Sequence, residues 1–426
     1  MTTVQTSTDA VLPETTIIRS WKTPIALLIF SVLFAILLLA APRPGGTTTF
    51  RLATGTDLFQ VADLVVPVTA TAWACLVLSL ALAGVAAYFV RAFGRSPLWV
   101  VIVYIVVLVV GFLTWAAAGG TVPVAGLLAG SLALAVPLIY GALAGVIGER
   151  AGVVNIAIEG QLLAGAFTAA LVASVTGLPI AGLVAAAVAG MLVAAVLAAF
   201  SIKYLVDQVI VGVVLNVLVA GLTSFLFSQV LQPNKAALNT PPRFDRIPIP
   251  LLSEIPVLGP VLFRQTLIVY LMYIAVALVW VGMFKTRWGL RLRAVGEHPQ
   301  AADTVGIKVN ATRFWNVVLA GALAGIGGTV FTIGNGIAFN KEMTAGAGFI
   351  ALAAVIFGQW DPIKATLAAL LFGFASNLQN TLSVIGSPVP SEFMLMLPYL
   401  VTIFVVAGVV GKSRAPAADG VAYVKG

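Results

Sequence analysis

The chain has 426 residues, of which 61% are hydrophobic and 9% are charged, and its formal net charge is +8. A composition this apolar excludes an ordinary soluble domain and is typical of a polytopic helical membrane protein. The basic residues are scattered between apolar runs, as the positive-inside rule expects, which argues against a nucleic-acid-binding surface. We therefore expect an all-α transmembrane bundle of about ten to twelve spans and no nucleic-acid partner.

Rare reactive residues limit the chemistry that the chain can support. Cys75 is the only cysteine and His298 the only histidine, which excludes an intrachain disulfide and a multi-histidine metal site. The sequence contains no Walker A pattern, no GxGxxG and no GxSxG. We therefore predict no catalytic residue, no metal site and no cofactor bound by this chain. This combination favours a conduit over an enzyme.

The apolar runs follow one another along the chain, separated by polar connections rich in glycine and proline. The run 349–360 is too short for an ordinary span, so one or two segments can be re-entrant. The predicted segments are 24–41, 64–90, 98–118, 122–147, 152–175, 180–202, 209–231, 266–284, 314–337, 349–360, 362–382 and 393–410.

Lysine and arginine set the predicted orientation. With both termini inside, sixteen of the 23 basic residues fall on the cytoplasmic side and seven outside. The chain is accordingly divided by function and by side of the membrane. The predicted parts are a cytoplasmic tail 1–23, N-terminal helices 24–118, a first core repeat 119–231, an external loop 232–264, a second core repeat 265–411 with a cytoplasmic loop 285–313, and a cytoplasmic tail 412–426.

An internal repeat relates the two halves of the core. GALAGVIG at 141–148 recurs as GALAGIGG at 321–328, and GLPIAGLVAAAVAG at 177–190 aligns with WDPIKATLAALLFG at 360–373. In the predicted topology the first GALAG helix runs inward and the second runs outward. This pattern predicts an inverted repeat, whose interface near the bilayer midplane is where transporters place their pathway.

Polar side chains inside apolar segments need partners or a task. Asn155 and Glu159 are four residues apart, so a helix would place them on one face that excludes Gln161. Glu149 and Arg150 lie at a predicted inner boundary, where a solvated or locally paired role is expected. Amide side chains can line a pathway for a neutral solute, and they also join membrane helices, so both interpretations stay open. The candidate pathway residues are Asn155, Glu159, Asn216, Asn335, Asn377 and Asn380.

The cytoplasmic loop GLRLRAVGEHPQAADTVGIKVNATR at 289–313 contains the signals of a short helix. Pro299 stands at an early helical position and Gly306 can end the helix, which predicts a helix over about 299–305. A small helix flanked by basic residues suits a groove in a cytoplasmic partner. The alternative is a loop that only follows the positive-inside rule.

Four segments, in this order, resemble the permease subunits of bacterial ABC importers for nucleosides and simple sugars, in the branched-chain amino acid and ribose permease-like family. They are ERAGVVNIAIEGQLLAGA at 149–166, DQVIVGVVLN at 207–216, GLRLRAVGEHPQAADTVGIKV at 289–309 and MTAGAGFIALAAVIFGQWDP at 343–362. The resemblance covers roughly residues 120–412. The additional N-terminal spans and the ERAGVVNIAIEG segment are more similar to the nucleoside-type members than to the ribose-type ones.

The resemblance implies a multi-pass subunit of a bacterial cell-membrane import complex. Its expected partners are a cytoplasmic ATP-binding subunit that carries ATP and Mg, a second permease subunit of different sequence, an extracytoplasmic substrate-binding lipoprotein, and membrane lipids. In family terms, 289–309 corresponds to the coupling helix that receives the ATPase stroke. The residues expected to couple are Glu297, Pro299, Ala301, Ala302, Val305 and Gly306.

Three other functions stay open at this point. A proton- or sodium-coupled secondary transporter would use Glu159 as its coupling carboxylate, and its uptake would collapse with an uncoupler. An intramembrane enzyme would need a nucleophile and a base that the sequence does not offer. A branched-chain amino acid permease would show uptake that leucine inhibits and nucleosides do not.

Overall fold

The computed structural model describes residues 20–43, 45–53, 55, 60–386, 392, 396 and 414–425. Among the described residues, ten helices are long and apolar enough to cross a membrane, and an eleventh apolar helix is shorter. The predicted polytopic helical bundle is confirmed, while the predicted span 393–410 lies outside the described residues except for residue 396. The helices are α1 Lys22–Ala40, α2 Val68–Phe93, α3 Leu98–Ala116, α4 Val124–Arg150, α5 Ile158–Thr176, α6 Pro179–Ala198, α7 Gln208–Leu226, α8 Lys235–Leu238, α9 Leu267–Lys285, α10 Arg287–Glu297, α11 Pro299–Thr304, α12 Val309–Gly328, α13 Ala347–Phe357 and α14 Pro362–Ile385.

Short elements extend or connect these helices. π-helical turns continue α6 over Ala199–Lys203 and α7 over Phe227–Leu231, and a 3₁₀ turn Thr329–Phe331 continues α12. The loop 232–264 contains a 3₁₀ turn, Leu252–Glu254, and a π turn, Gly259–Phe263. The strands are β1 Thr47–Arg51, β2 Leu64–Pro67, β3 Thr121–Pro123, β4 Arg246–Pro248 and β5 Arg264–Thr266, with β1 parallel to β3 and β4 antiparallel to β5.

The chain forms two compact units, and the first contains α1, α2 and α3. Three buried hydroxyl groups join these helices: Ser31 Oγ lies 3.1 Å from Ser79 Oγ and 2.9 Å from Tyr104 Oη. Tyr104 Oη also donates to the Leu27 carbonyl at 2.6 Å. Because no water is present in the hydrocarbon layer to satisfy a hydroxyl, such mutual bonding is the expected arrangement for polar side chains between membrane helices.

The second unit contains α4 to α14 and is built around α4. Residues 135–149 of this helix are all buried, and Pro137 lies within them. Helix α4 packs most extensively against α14, and α12 packs most extensively against α6. Helices α4 and α12 also contact each other directly. The core of the unit is therefore formed by the helices that carry the predicted repeat.

Glycines bring the backbones of these helices close together. A Cβ atom on Gly190 of α6 would collide with the Gly321 carbonyl and lie 2.8 Å from Gly325 Cα, both on α12. On α14, a Cβ atom on Gly373 would lie 2.6 Å from the Ser131 carbonyl of α4. Small residues permit this approach between membrane helices, where van der Waals packing supplies the attraction.

Candidate functional site: a polar hub at residues 149–161

A break between α4 and α5 begins at Gly152, which adopts φ +87°. Only glycine occupies this left-handed conformation readily, so the helical path of α4 ends there. Helix α5 starts at Ile158, later than the predicted 152–175. The prediction that Asn155 and Glu159 share a helix face was therefore wrong, because Asn155 precedes the helix and Glu159 lies in its first turn.

An amide pair closes the break. Asn155 and Gln161 are both fully buried, and each side-chain amide donates to the oxygen of the other at 3.1 Å. Helical spacing had separated these two residues. The pairing satisfies one donor and one acceptor on each amide, as burial requires. Asn155 thus has a defined structural partner within its own segment.

Helix α7 supplies side chains to the backbone of the break. Asn216 Oδ1 accepts a hydrogen bond from Gly160 N at 2.8 Å, and Asn216 Nδ2 donates to the Ile156 carbonyl at 2.9 Å. Gln208 Oε1 accepts from Val154 N at 2.7 Å. A helix break frees backbone groups that must be satisfied inside the protein when it lies in a membrane. The side chains of helix α7 satisfy three of these backbone groups.

Glu159 caps the short helix α13. Its Oε1 accepts hydrogen bonds from Thr344 Oγ1 at 2.6 Å and from Gly346 N at 2.9 Å, and its Oε2 accepts from Gly348 N at 2.6 Å. The free N–H groups and the dipole of a helix N-terminus both favour a carboxylate there. Glu159 therefore connects the first repeat to residues 340–346, which precede α13 and which we call the elbow.

The end of α4 binds the turn between α13 and α14. Trp360 Nε1 donates to Glu149 Oε2. Arg150 Nε donates to the Trp360 carbonyl at 3.1 Å, and Arg150 Nη2 donates to the Gln359 carbonyl at 3.3 Å. Arg150 Nη1 also lies 3.7 Å from Glu297 Oε1 of α10. Glu149 is 3% exposed, so of the two predicted roles the structure has the locally paired one.

These contacts bring the four sequence motifs together. The segment 149–161, which we call the hub, contacts motif 207–216 through Gln208 and Asn216, motif 343–362 through Glu159 and Trp360, and motif 289–309 through Glu297. Asn155 and Gln161 bond each other, and the side chains of Glu149, Arg150 and Glu159 bond other segments of the chain. The arrangement therefore holds the break in the first repeat against three segments that are distant in the sequence.

The predicted helix at 299–305 is confirmed as α11. His298 precedes it and its Nδ1 accepts from Ala301 N at 3.2 Å, Pro299 is its first residue, and Gly306 at φ +84° follows its end. Its two faces differ: Pro299 and Ala302 are buried, whereas Ala301 is exposed and Val305 is 76% exposed. Any partner that binds this loop therefore meets Ala301 and Val305, while Ala302 faces the interior of the protein.

The remaining candidate pathway residues lie apart from the hub. Asn377 Nδ2 donates to the Leu127 carbonyl at 2.7 Å and joins α14 to α4, and Asn380 is exposed on α14. Asn335 lies in a cleft of about 400 Å³. The cleft is lined by Arg243, Phe244, Asp245, Arg246, Thr266, Gly334 and Asn335.

Sequence reasoning missed Gln161 within the hub, and Gln208 and Thr344 as hydrogen-bond partners of the hub. All three lie inside the four motifs that carry the family resemblance, and that position was the signal available. Within the described residues, no group of three or more His, Cys, Asp or Glu side chains is placed to hold a metal ion.

Residues 127–406 match the family described as branched-chain amino acid transport system / permease component. The chain belongs to this family. Over 310 residues the permease is 42% identical to the guanosine ABC transporter permease protein NupQ of Bacillus subtilis, a match that covers 70% of this chain and 95% of NupQ.

Two further relatives extend the comparison. The permease is 40% identical over 314 residues to the nucleoside ABC transporter permease protein NupC of Lactococcus lactis, covering 70% of this chain and 96% of NupC. It is 30% identical over 294 residues to a glucose ABC transporter permease protein of Haloferax volcanii, covering 65% and 74% of the two chains. No solved structure matches the chain. The protein is thus a multi-pass membrane permease of the ABC transporter class.

Proposed function

We propose that this permease imports nucleosides across a bacterial cell membrane as one subunit of an ABC importer. The observation that carries the proposal is its identity of 40% or more to a guanosine permease and a nucleoside permease over nearly their whole length. Glucose permease relatives are more distant, at 30% to 34% identity. Neutral, hydroxyl-rich solutes suit the amide and hydroxyl groups that this chain places within its apolar helices.

The complex needs further subunits. ATP and Mg are expected on a cytoplasmic ATP-binding subunit, since this chain has no phosphate-binding loop of its own. A second permease chain would complete the translocation path, and an extracytoplasmic lipoprotein would deliver the solute. Both termini of this chain are expected in the cytoplasm, on the basis of the distribution of basic residues.

The coupling step begins at α11. Two exposed residues, Ala301 of α11 and Val305 directly after it, would contact the ATP-binding subunit, and closure of that subunit would move the α10–α11 loop. Glu297 lies at the end of α10 and 3.7 Å from Arg150, so the movement would reach the end of α4 directly. From there the hub would pass it to α13 through the Glu159 cap.

Solute entry would occur at the opposite end of α12. This helix has 20 residues, which corresponds to a length of about 30 Å and matches the hydrocarbon thickness. Its first residue follows the α10–α11 loop, and the cleft that contains Asn335 lies just beyond its last turn. We infer that this cleft is the external entrance, with the Asn335 amide and the Thr266 hydroxyl available to a sugar or base.

We expect the other candidate residues to hold the hub in place and not to bind the solute. Asn155, buried and paired with Gln161, supports the hub. Glu159 and Asn216 are half-buried, and each already bonds the protein. Rocking of the two repeats about the hub would open the path alternately to each side. In this mechanism the hub positions helices, and the solute passes beside it.

Uptake by the reconstituted complex tests the function. We expect labelled guanosine to accumulate in proteoliposomes only with the ATP-binding subunit and ATP, with no loss when an uncoupler is added. Uptake that needs no ATPase and collapses with the uncoupler would replace this proposal with a secondary transporter.

The family description favours one further candidate, a branched-chain amino acid permease. Excess unlabelled leucine is therefore added in a parallel assay, with excess adenosine as the matched competitor. We expect adenosine to suppress guanosine uptake and leucine to leave it unchanged. Leucine accumulation, suppressed by unlabelled leucine and indifferent to adenosine, would show that the substrate is an amino acid.

A further inference from the structure

The C-terminal segment 414–425 packs on the cytoplasmic loop elements α10 and α11. Ala418 N donates to the Gly296 carbonyl at 2.9 Å, and Ala417 N donates to Glu297 Oε2 at 3.2 Å. Both acceptors belong to the last residues of α10. The tail therefore begins its contacts at the junction between α10 and α11, next to the ion pair of Glu297 with Arg150.

A buried arginine holds the middle of the tail. Arg313 of α12 is 1% exposed, and its Nη1 donates to the Val421 carbonyl at 2.7 Å while its Nη2 donates to the Ala418 carbonyl at 3.4 Å. Gly152 leaves room for this guanidinium, since a Cβ atom there would lie 2.7 Å from Arg313 Nη2. A buried guanidinium needs acceptors, and the tail backbone provides them.

The end of the tail covers the inward face of α11. Tyr423 is 8% exposed and clusters with Val295, Ala302 and Val309. Lys425 Nζ lies 3.9 Å from Asp303 Oδ1, which places the last described residue beside α11. Val424, between Tyr423 and Lys425, points outward and is 68% exposed. One side of the tail thus packs on the permease and the other stays accessible.

We propose that residues 417–425 form a clamp that holds α11 in the orientation in which its exposed face binds the ATP-binding subunit. Helix α11 has six residues, too few to be stable alone, so its position depends on packing. Its buried face offers little more than Pro299 and Ala302, and Tyr423 fills the space against Ala302. The clamp rests on the proposed function for the identity of the partner. The packing it describes is independent of that function.

Amide hydrogen exchange on the isolated permease tests the clamp first. The variants are a deletion of 417–426 and Tyr423→Ala, with Val424→Ala as the matched exposed control and Tyr423→Phe as the conservative rescue. The reporters are the amides of Ala302, Gly306 and Ile307, which are hydrogen-bonded within the α11 turn. We expect at least tenfold faster exchange in the deletion and in Tyr423→Ala, and wild-type exchange in Val424→Ala. Tyr423→Phe keeps the packed ring and loses only the hydroxyl beside Asp303, so its exchange should stay within about threefold of wild type.

Binding of the ATP-binding subunit to the reconstituted permease is the second measurement. We expect Tyr423→Ala to raise the subunit concentration for half-maximal uptake at least fivefold, with maximal uptake restored at saturation and by Tyr423→Phe. A role in general folding would lower the maximum instead, and that result would overturn the clamp.

The outcomes separate the clamp from the proposed function. Unchanged α11 exchange in both tail variants would overturn the clamp, whatever the complex does. Faster α11 exchange with an unaltered affinity for the ATP-binding subunit would also overturn it. If α11 exchanges faster in the tail variants but the wild-type permease binds no ATP-binding subunit, the packing that the clamp describes is supported and the proposed function is rejected.

Discussion

The two repeats share their packing and differ in how their connections are stabilised. In each, the GALAG motif lies near the end of the first helix, and the third helix begins with a proline, Pro179 or Pro362. The packing is reciprocal, α4 on α14 and α12 on α6. The middle helix is 19 residues long in the first repeat and 11 in the second.

The connections before these middle helices differ in where their hydrogen-bond partners come from. In the first repeat, the break is closed by Asn155 and Gln161, which belong to the same segment. In the second, the elbow that precedes α13 is capped by Glu159, which belongs to the first repeat. The second repeat therefore depends on the first for the start of its short helix. The inverted orientation of the pair remains a prediction.

The glycine contacts give the largest expected effect. If the repeats pack equivalently, Gly190→Val and Gly373→Val should each destabilise the protein by about 3 kcal/mol, because each added side chain meets backbone atoms that cannot move aside. Thermal unfolding in detergent, followed by loss of the monodisperse peak, measures this.

Gly221→Val is the matched control, because a Cβ atom at Gly221 of α7 has nothing within 4 Å. We expect it to unfold like the wild type. A large effect at Gly190 with none at Gly373 would show that the sequence repeat does not correspond to equivalent packing.

The cap tests the dependence of the second repeat on the first. Glu159→Ala removes the acceptor of three hydrogen bonds and should destabilise the start of α13 by about 2.5 kcal/mol, with Glu159→Gln costing less. Hydrogen exchange at Gly346 and Gly348 measures the local loss.

Glu342→Ala removes an exposed carboxylate from the same elbow and should leave exchange at both glycines unchanged. If Glu159→Gln alters the range of solutes transported and leaves α13 exchange intact, Glu159 lines the pathway and the cap is incidental.

The Asn155–Gln161 pair tests whether the first repeat stabilises its own connection without the second repeat. Asn155→Ala should cost about 1.5 kcal/mol, because Gln161 loses its buried partner. Gln161→Ala should cost a similar amount, and the double variant should cost less than the two together. Asn380→Ala, at an exposed amide of α14, serves as the control. Strict additivity in thermal unfolding would show that the pair does not act as a unit.

Local signals predicted the elements that depend on neighbouring residues. The proline at 299 and the glycine at 306 predicted α11 closely, since start and stop signals act within one turn. The apolar runs predicted the spans because length and composition decide them. The predicted span 362–382 begins at the first residue of α14, and the predicted span 180–202 begins one residue after the first residue of α6.

The hub could not be predicted in the same way. Its break depends on Gly152 in a left-handed conformation and on Asn216, a side chain of another helix. A helical spacing rule applied across that break assigned Asn155 to the wrong environment. The packing of the tail was still harder to predict, because Arg313, whose guanidinium binds the tail backbone, lies about a hundred residues earlier in the chain. Composition alone marked the tail only as cytoplasmic.

The smallest effect concerns Asp419, where the tail meets the end of α4 and the start of α12. Burial raises the pKa of Asp419 to about 7, while the Gly420 N–H and the Arg313 guanidinium act in the opposite direction, and the Glu149 carboxyl also faces it. Within the described residues, Asp419 Oδ1 accepts no hydrogen bond, so ionisation is poorly supported.

The sign follows from the raised pKa: the docked tail binds the proton more tightly than a free tail, whose carboxyl has an ordinary pKa near 3.8. Docking is fully favoured below about pH 4 and weakens as the pH rises through about 7. From pH 6 to pH 8 the docking constant should fall about tenfold, or about 1.4 kcal/mol.

A pH-insensitive dye on Val424→Cys, in a Cys75→Ser background, reports docking by its anisotropy. Asp419→Asn should abolish the pH dependence. An equal pH response in that variant would assign it to another group, such as Glu149, and would place the pH sensitivity on the first repeat.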